Sequence, residues 1–212
     1  MPAAVHPALL ERARRLASSG RRVILGITGA PGAGKSTLAE ALVEALGDGA
    51  RLVSMDGFHL AEAELHRLSR HDRKGAPDTF DALGYVALLR RLHAADERVV
   101  YAPLFDRSIE EPIACAVPVP RGVPLVVTEG NYLLVDDGDW SGVRPLLDEC
   151  WYVDPGETER IDRLVARHER YGRPADEALE RSLGSDQRNA EVIVRTRGLA
   201  DLVVRDGEPV DG

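Results

Sequence analysis

Lysine is almost missing from this chain. Of its 27 lysines and arginines only Lys35 and Lys74 are lysine, which leaves 25 arginines. Cysteine is scarce too: Cys115 and Cys150 stand alone, without C-x-x-C or histidine-rich spacing, so neither a disulfide framework nor a zinc site is expected. Basic charge is outweighed, with a formal net charge of −8, which argues against a nucleic-acid or anionic-membrane partner for the surface as a whole. No apolar run approaches the length that crosses a bilayer, and Met1 to Arg22 holds no signal-peptide core, so a soluble, cytoplasmic chain is expected. Internal repeats, low-complexity tracts and Gly/Ser linkers are also lacking. A single domain over residues 1–212 is therefore the default.

What is present is concentrated in one segment. Gly29-Ala30-Pro31-Gly32-Ala33-Gly34-Lys35-Ser36-Thr37 fits the phosphate-binding pattern G-x-x-x-x-G-K-[ST]. Multiplying residue frequencies, a chance match arises in roughly one such chain in a thousand. The apolar run Val23 to Ile27 precedes the segment, and Leu38, Leu42, Val43 and Leu46 follow it at helical spacing, so it joins a buried strand to a helix. Backbone N–H groups of such a loop turn inward on phosphate at the helix N-terminus. Lys35 would reach the β and γ phosphates and the Ser36 hydroxyl would sit on Mg²⁺, which implies ATP and Mg²⁺ together.

Further strand-like runs at Leu52 to Met55, Leu125 to Thr128, Cys150 to Val153 and Leu202 to Val204 alternate with helical stretches. This alternation predicts an α/β fold with a parallel sheet covered by helices on both faces. Residues 7–18 read as a short helix ahead of the first strand. Between Arg98 and Pro124 five prolines rule out a central strand and predict a loop-rich insertion with a short hairpin around Ile113 to Val119.

Ligands of open parallel sheets sit beyond the carboxyl ends of the strands. Asp56 and Glu129 each end an apolar run and precede a glycine that lets the chain turn away. Asp56 is read as the base for an acceptor hydroxyl and Glu129 as a ligand of Mg²⁺ or of the acceptor; the alternative is that either caps the following helix. Lys74 is assigned to the acceptor side, against the alternative of a solvated lysine in the run Arg70-His71-Asp72-Arg73-Lys74. Asp106 and Arg107 would bind acceptor hydroxyls or pair with each other. His59 is a further acceptor candidate, although a lone histidine after a strand is more often structural. From Glu157 to Tyr171 the pattern is helical, and Arg160, Arg163, Arg167 and Arg170 share a face roughly 80° wide. Such a face suits a lid in which Arg163 and Arg167 stabilise the moving phosphoryl charge, with Gly172-Arg173-Pro174 as its turn; a solvated face held by pairs such as Glu159 with Arg163 is the alternative.

The chain resembles the phosphoribulokinase and uridine kinase family of P-loop kinases. The resemblance rests on Gly29 to Thr37, on Met55-Asp56-Gly57-Phe58-His59, on Arg73-Lys74-Gly75-Ala76-Pro77-Asp78-Thr79-Phe80-Asp81 and on Thr128-Glu129-Gly130-Asn131-Tyr132. It implies a five-stranded parallel sheet, a mobile Arg-bearing lid, and Asp56 as the base. The lysine-glycine stretch is similar to that of the pantothenate and fructose-kinase-like branches, and Pro103-Leu104-Phe105-Asp106-Arg107 is most similar to the latter. The resulting expectation is an ATP-dependent kinase acting on a small-molecule hydroxyl, with a sugar-like polyol first and nucleosides or pantothenate next. No partner is expected beyond that acceptor and, at most, a second copy of the chain as a homodimer. The rival, a regulatory NTPase switch, lacks support because no N-K-x-D guanine signature occurs. A catalytically silent nucleotide-binding module is the third class.

Overall fold

The structure is a computed structural model that describes residues 5–170, 172 and 174–210. Eight strands and seven α-helices follow one another along the described chain: α1 (Pro7–Ala17), β1 (Val23–Thr28), α2 (Lys35–Leu46), β2 (Ala50–Ser54), α3 (Glu62–Arg67), α4 (Ala82–Ala94), β3 (Val99–Asp106), β4 (Glu111–Pro120), β5 (Leu125–Glu129), β6 (Glu149–Val153), α5 (Glu157–Arg170), α6 (Ala175–Leu183), α7 (Ser185–Val194), β7 (Leu202–Arg205) and β8 (Glu208–Val210). The main sheet has the order β2-β5-β1-β6-β7-β8. Its first five strands are parallel, as expected, and β8 adds a sixth, antiparallel to β7. The sixth strand corrects the five-stranded expectation. It forms because Asp206 and Gly207 both take positive φ, the Asp-Gly hairpin turn, and this signal stood in the sequence unread.

The central strands β1 and β5 are buried along their whole length because both of their faces are covered. Ile24 and Val126 point into a core built with Tyr85, Leu89 and Leu92 of α4, while Leu25 and Val127 point into a second core with Leu9 of α1 and Leu42 of α2. Parallel register then aligns the strand ends. Glu129 pairs with Ile27 on one side and Ser54 on the other, so the loops after β1, β2 and β5 open on one edge of the sheet.

The proline-rich stretch is a long hairpin of β3 and β4, where a loop-rich insertion with a short hairpin was expected. The prolines are tolerated because each strand of this two-stranded sheet has a free edge, where a missing N–H breaks no ladder. Gly57 and Gly130 also differ from expectation, since neither takes a positive φ. They are required by close approach: a Cβ on Gly57 would lie 2.8 Å from the Pro103 carbonyl oxygen, and one on Gly130 would lie 2.5 Å from Met55 Cβ. Gly57→Ala should therefore lift the β3–β4 hairpin off the sheet edge and cost about 1–3 kcal/mol, as overpacking does. A thermal melt reads this as a Tm lowered by several degrees, and an unchanged Tm would show that the hairpin is not seated there.

Candidate active site

The phosphate loop is shaped by its glycines and clamped by α5. Gly32 and Gly34 take φ of 84° and 96°, and Gly34 leads directly into α2. A Cβ on Gly32 would meet the Arg160 carbonyl oxygen at 2.5 Å, so α5 lies against the loop. Lys35 is 8% exposed, and its Nζ donates to the Ala30 carbonyl oxygen at 3.2 Å. Burial lowers its pKa to about 8, against the opposing pull of Glu129 and Asp56. The Ser36 hydroxyl donates to Glu129 at 3.2 Å, and Ser54 donates to the other oxygen of the same carboxylate. Glu129 is 5% exposed; burial first, then the neighbouring Asp56, push its carboxyl above the ordinary range. A buried carboxylate and a hydroxyl form a hard oxygen donor set of the kind that suits Mg²⁺.

Asp56 lies in a short turn after β2, where its N–H donates to Ser54 Oγ at 3.2 Å. Its carboxylate accepts from Arg107 at 3.2 Å, so Arg107 pairs with Asp56 and not with Asp106. Asp106 accepts instead from the backbone and hydroxyl of Ser108. His59 packs against the tilted rings of Phe80 and Phe105, with ring centroids 4.0 and 4.7 Å away, and its Nδ1–H donates to the Asp56 carbonyl oxygen at 2.8 Å. Burial lowers its pKa. Lys74, whose side chain is only 10% exposed, pairs with Glu62, donates to the Glu110 carbonyl oxygen at 2.6 Å, and lies over the Phe105 ring. The charged run before it is cross-linked, since Arg70 and Arg73 both pair with Asp78. Gly75 is anchored through its carbonyl by Tyr132 and Asn189, and Asp81 caps α4 through Gly84 N–H.

One cavity of about 900 Å³ gathers these groups. Lys35, Ser36, Asp56, His59, Lys74, Arg107, Glu129 and Arg167 all line it. Of the phosphate loop it takes Pro31, Lys35 and Ser36, while Ala30 and Ala33 line a second cavity of about 420 Å³, with Asp154 to Glu157 and Ala190. Asp106 and Arg163 are not among the lining residues of either. The arginines of α5 turn toward the loop: Arg160 is 5% exposed and donates to the Pro31 carbonyl oxygen and Gln187, and Arg163 donates to the Ala33 carbonyl oxygen and Glu159. The expected helix runs to Arg170, and Tyr171 and Arg173 of the expected helix end and turn lie outside the described residues. Sequence reasoning missed Glu62 and the pair His168–Asp186, which line the cavity, and Ser54, which holds the lining carboxylate Glu129 from behind. For Ser54 a signal existed, as a polar residue closing an apolar strand two positions before Asp56.

Among the described residues no helix is long and apolar enough to cross a membrane. The family model for the methylmalonyl-CoA mutase-associated GTPase MeaB matches residues 4–55, the part that holds the phosphate loop. The "Putative uridine kinase C227.14" of Schizosaccharomyces pombe is 32% identical over 208 residues, covering 93% of this chain and 88% of that protein. The crystal structure of a "putative fructose transport system kinase" from Silicibacter sp. TM1040 superposes with a TM-score of 0.83 at 35% identity, covering 92% of this chain and 97% of that one. Phosphoribulokinase from Rhodobacter spheroides shares the fold, with a TM-score of 0.60 at 13% identity over 88% of this chain and 71% of that one. Parallel sheet, phosphate loop and strand-end carboxylates together define a P-loop kinase. The chain belongs to the phosphoribulokinase and uridine kinase family.

Proposed function

We propose that this protein transfers the γ-phosphoryl group of ATP to a hydroxyl of a small polar acceptor, a sugar-like polyol before a nucleoside or pantothenate. The observation that carries this reading is that one cavity is lined by Asp56, by the phosphate-loop groups Lys35 and Ser36 and by the polar groups of His59, Lys74 and Arg107. A second substrate fits there beside the nucleotide's phosphates. Asp56 orients the acceptor hydroxyl and takes its proton as the new oxygen–phosphorus bond forms and the bond to ADP breaks. Lys35 and Arg167 neutralise the charge that spreads over the phosphoryl oxygens. Ser36 and Glu129 would hold Mg²⁺, which when bound supplies charge neutralisation of the phosphates. Lys74 and Arg107 hold the acceptor. The smaller cavity beside Ala30 and Ala33 takes the base of the nucleotide.

The test is ADP release measured against a panel of sugars, nucleosides and pantothenate. Acceptor-dependent release with a phosphorylated product supports the reading. Slow acceptor-independent turnover that prefers GTP supports the switch instead, the class suggested by the MeaB match to residues 4–55. With the acceptor in hand, Arg167→Ala should lower kcat by about 10²-fold, the scale of one lost charge-stabilising donor, with little change in the KM for ATP. Wild-type kinetics in that variant would show that Arg167 only lines the cavity.

A further inference from the structure

We propose that Glu62, His66 and His71 form a second cation site, for a zinc-class divalent metal, at the acceptor end of the cavity and separate from the Ser36 and Glu129 pair. Glu62 and His66 are four residues apart on α3, and His71 follows in the next turn, so three donors meet on one surface. Their ligand atoms all lie within 4.8 Å of one another. His71 Nδ1 stands 2.6 Å, and His66 Nε2 4.0 Å, from the same Glu62 oxygen. Two ligands of a tetrahedral zinc ion lie about 3.4 Å apart, given metal–ligand bonds of about 2.1 Å, so these separations straddle what the ion requires. Both histidines are exposed, and their rings stack with centroids 4.2 Å apart and an interplanar angle of 14°, so side-chain rotation must bring the two ring nitrogens onto one ion.

The Glu62 carboxylate is divided between two tasks. Lys74 bonds one oxygen and leaves the other facing the histidines, which makes Glu62 a single-oxygen ligand with a fixed outer partner. Two imidazoles and one carboxylate are the donor types of zinc, not of Mg²⁺, which prefers oxygen alone. All three residues line the large cavity. Three protein ligands leave a coordination position open on the cavity lining; an acceptor oxygen taking that position rests on the kinase reading, whereas metal binding does not.

The experiment is calorimetric titration of the tag-free full chain with Zn²⁺, in excess Mg²⁺ and without nucleotide. The expected result is one Zn²⁺ per chain, weakened by more than about tenfold in His66→Asn/His71→Asn, since even outer-shell changes cost that much, and unchanged in Ser36→Ala. Co²⁺ should give visible absorption bands in the wild type that vanish in the double variant. Melting curves check that the variants are folded, and Glu62→Gln alone should repeat the loss. Zn²⁺ binding of wild-type strength in the double variant, or none in the wild type at micromolar concentration, overturns the proposal. A kinase panel without any phosphorylated product would overturn the functional reading while leaving this titration interpretable.

Discussion

Lys35→Ala should reduce phosphoryl transfer by about 10³-fold or more and weaken ATP binding, the largest loss expected from any single substitution here. The side chain is buried at the start of α2, and its ammonium rests on the Ala30 carbonyl oxygen, a contact that a phosphate oxygen would replace. Alanine removes the main side-chain charge aimed at the β and γ phosphates. The same residue gives a pH signature. Because burial brings its pKa to about 8 in the nucleotide-free protein, the proton is held below that pH and lost above it. ATP affinity should therefore be steady near pH 7 and fall as pH rises through about 8, and this slope should be absent in Lys35→Ala. Calorimetry of nucleotide binding between about pH 7 and about pH 9.5 reads both effects. Near-normal turnover in the variant would remove the phosphate-loop assignment, and an identical pH slope in both proteins would show that another group titrates.

Asp56→Asn should lower kcat by about 10²–10⁴-fold, the range of general acid–base catalysis, while ATP affinity stays nearly intact. The amide keeps the size of the carboxylate and can still accept from Arg107, so the β2 turn and the cavity wall should keep their shape. It cannot accept the acceptor's proton. In the structure the Arg107 guanidinium occupies one oxygen of Asp56, and the acceptor hydroxyl competes for that position or uses the other oxygen. Steady-state kinetics with each substrate varied in turn separates the possibilities. A parallel loss of ATP binding would place Asp56 on the metal, and unchanged kcat would leave the reaction without its base.

Much of the candidate site was legible because its chemistry is local. Lys35 and Ser36 are defined by eight neighbouring positions, and Asp56 and Glu129 by apolar runs that stop at the same edge of the sheet. Arg107 was harder. Its neighbour Asp106 was an equally good partner in sequence, and only the packing of the β3–β4 hairpin against Gly57 brings Arg107 to Asp56 and leaves Asp106 with Ser108. The arginine face of α5 shows the same limit. Spacing puts Arg160, Arg163 and Arg167 on one side of a helix, but not how deep each lies. Arg160 is buried on the phosphate loop, Arg163 reaches its backbone, and only Arg167 lines the cavity.

By itself, the sequence determined the phosphate loop, the five parallel strands and the two strand-end carboxylates, since each depends on contiguous residue types and on the alternation of strand and helix. Tertiary structure alone decided which charges meet. The pairs Glu62–Lys74, Asp56–Arg107 and Glu129–Ser54 join residues 12, 51 and 75 positions apart. No local propensity encodes such pairings. They follow from parallel register, which aligns Ser54 with Glu129, and from the β3–β4 hairpin packing on β2 and the turn after it while its tip meets Lys74 at the Glu110 carbonyl.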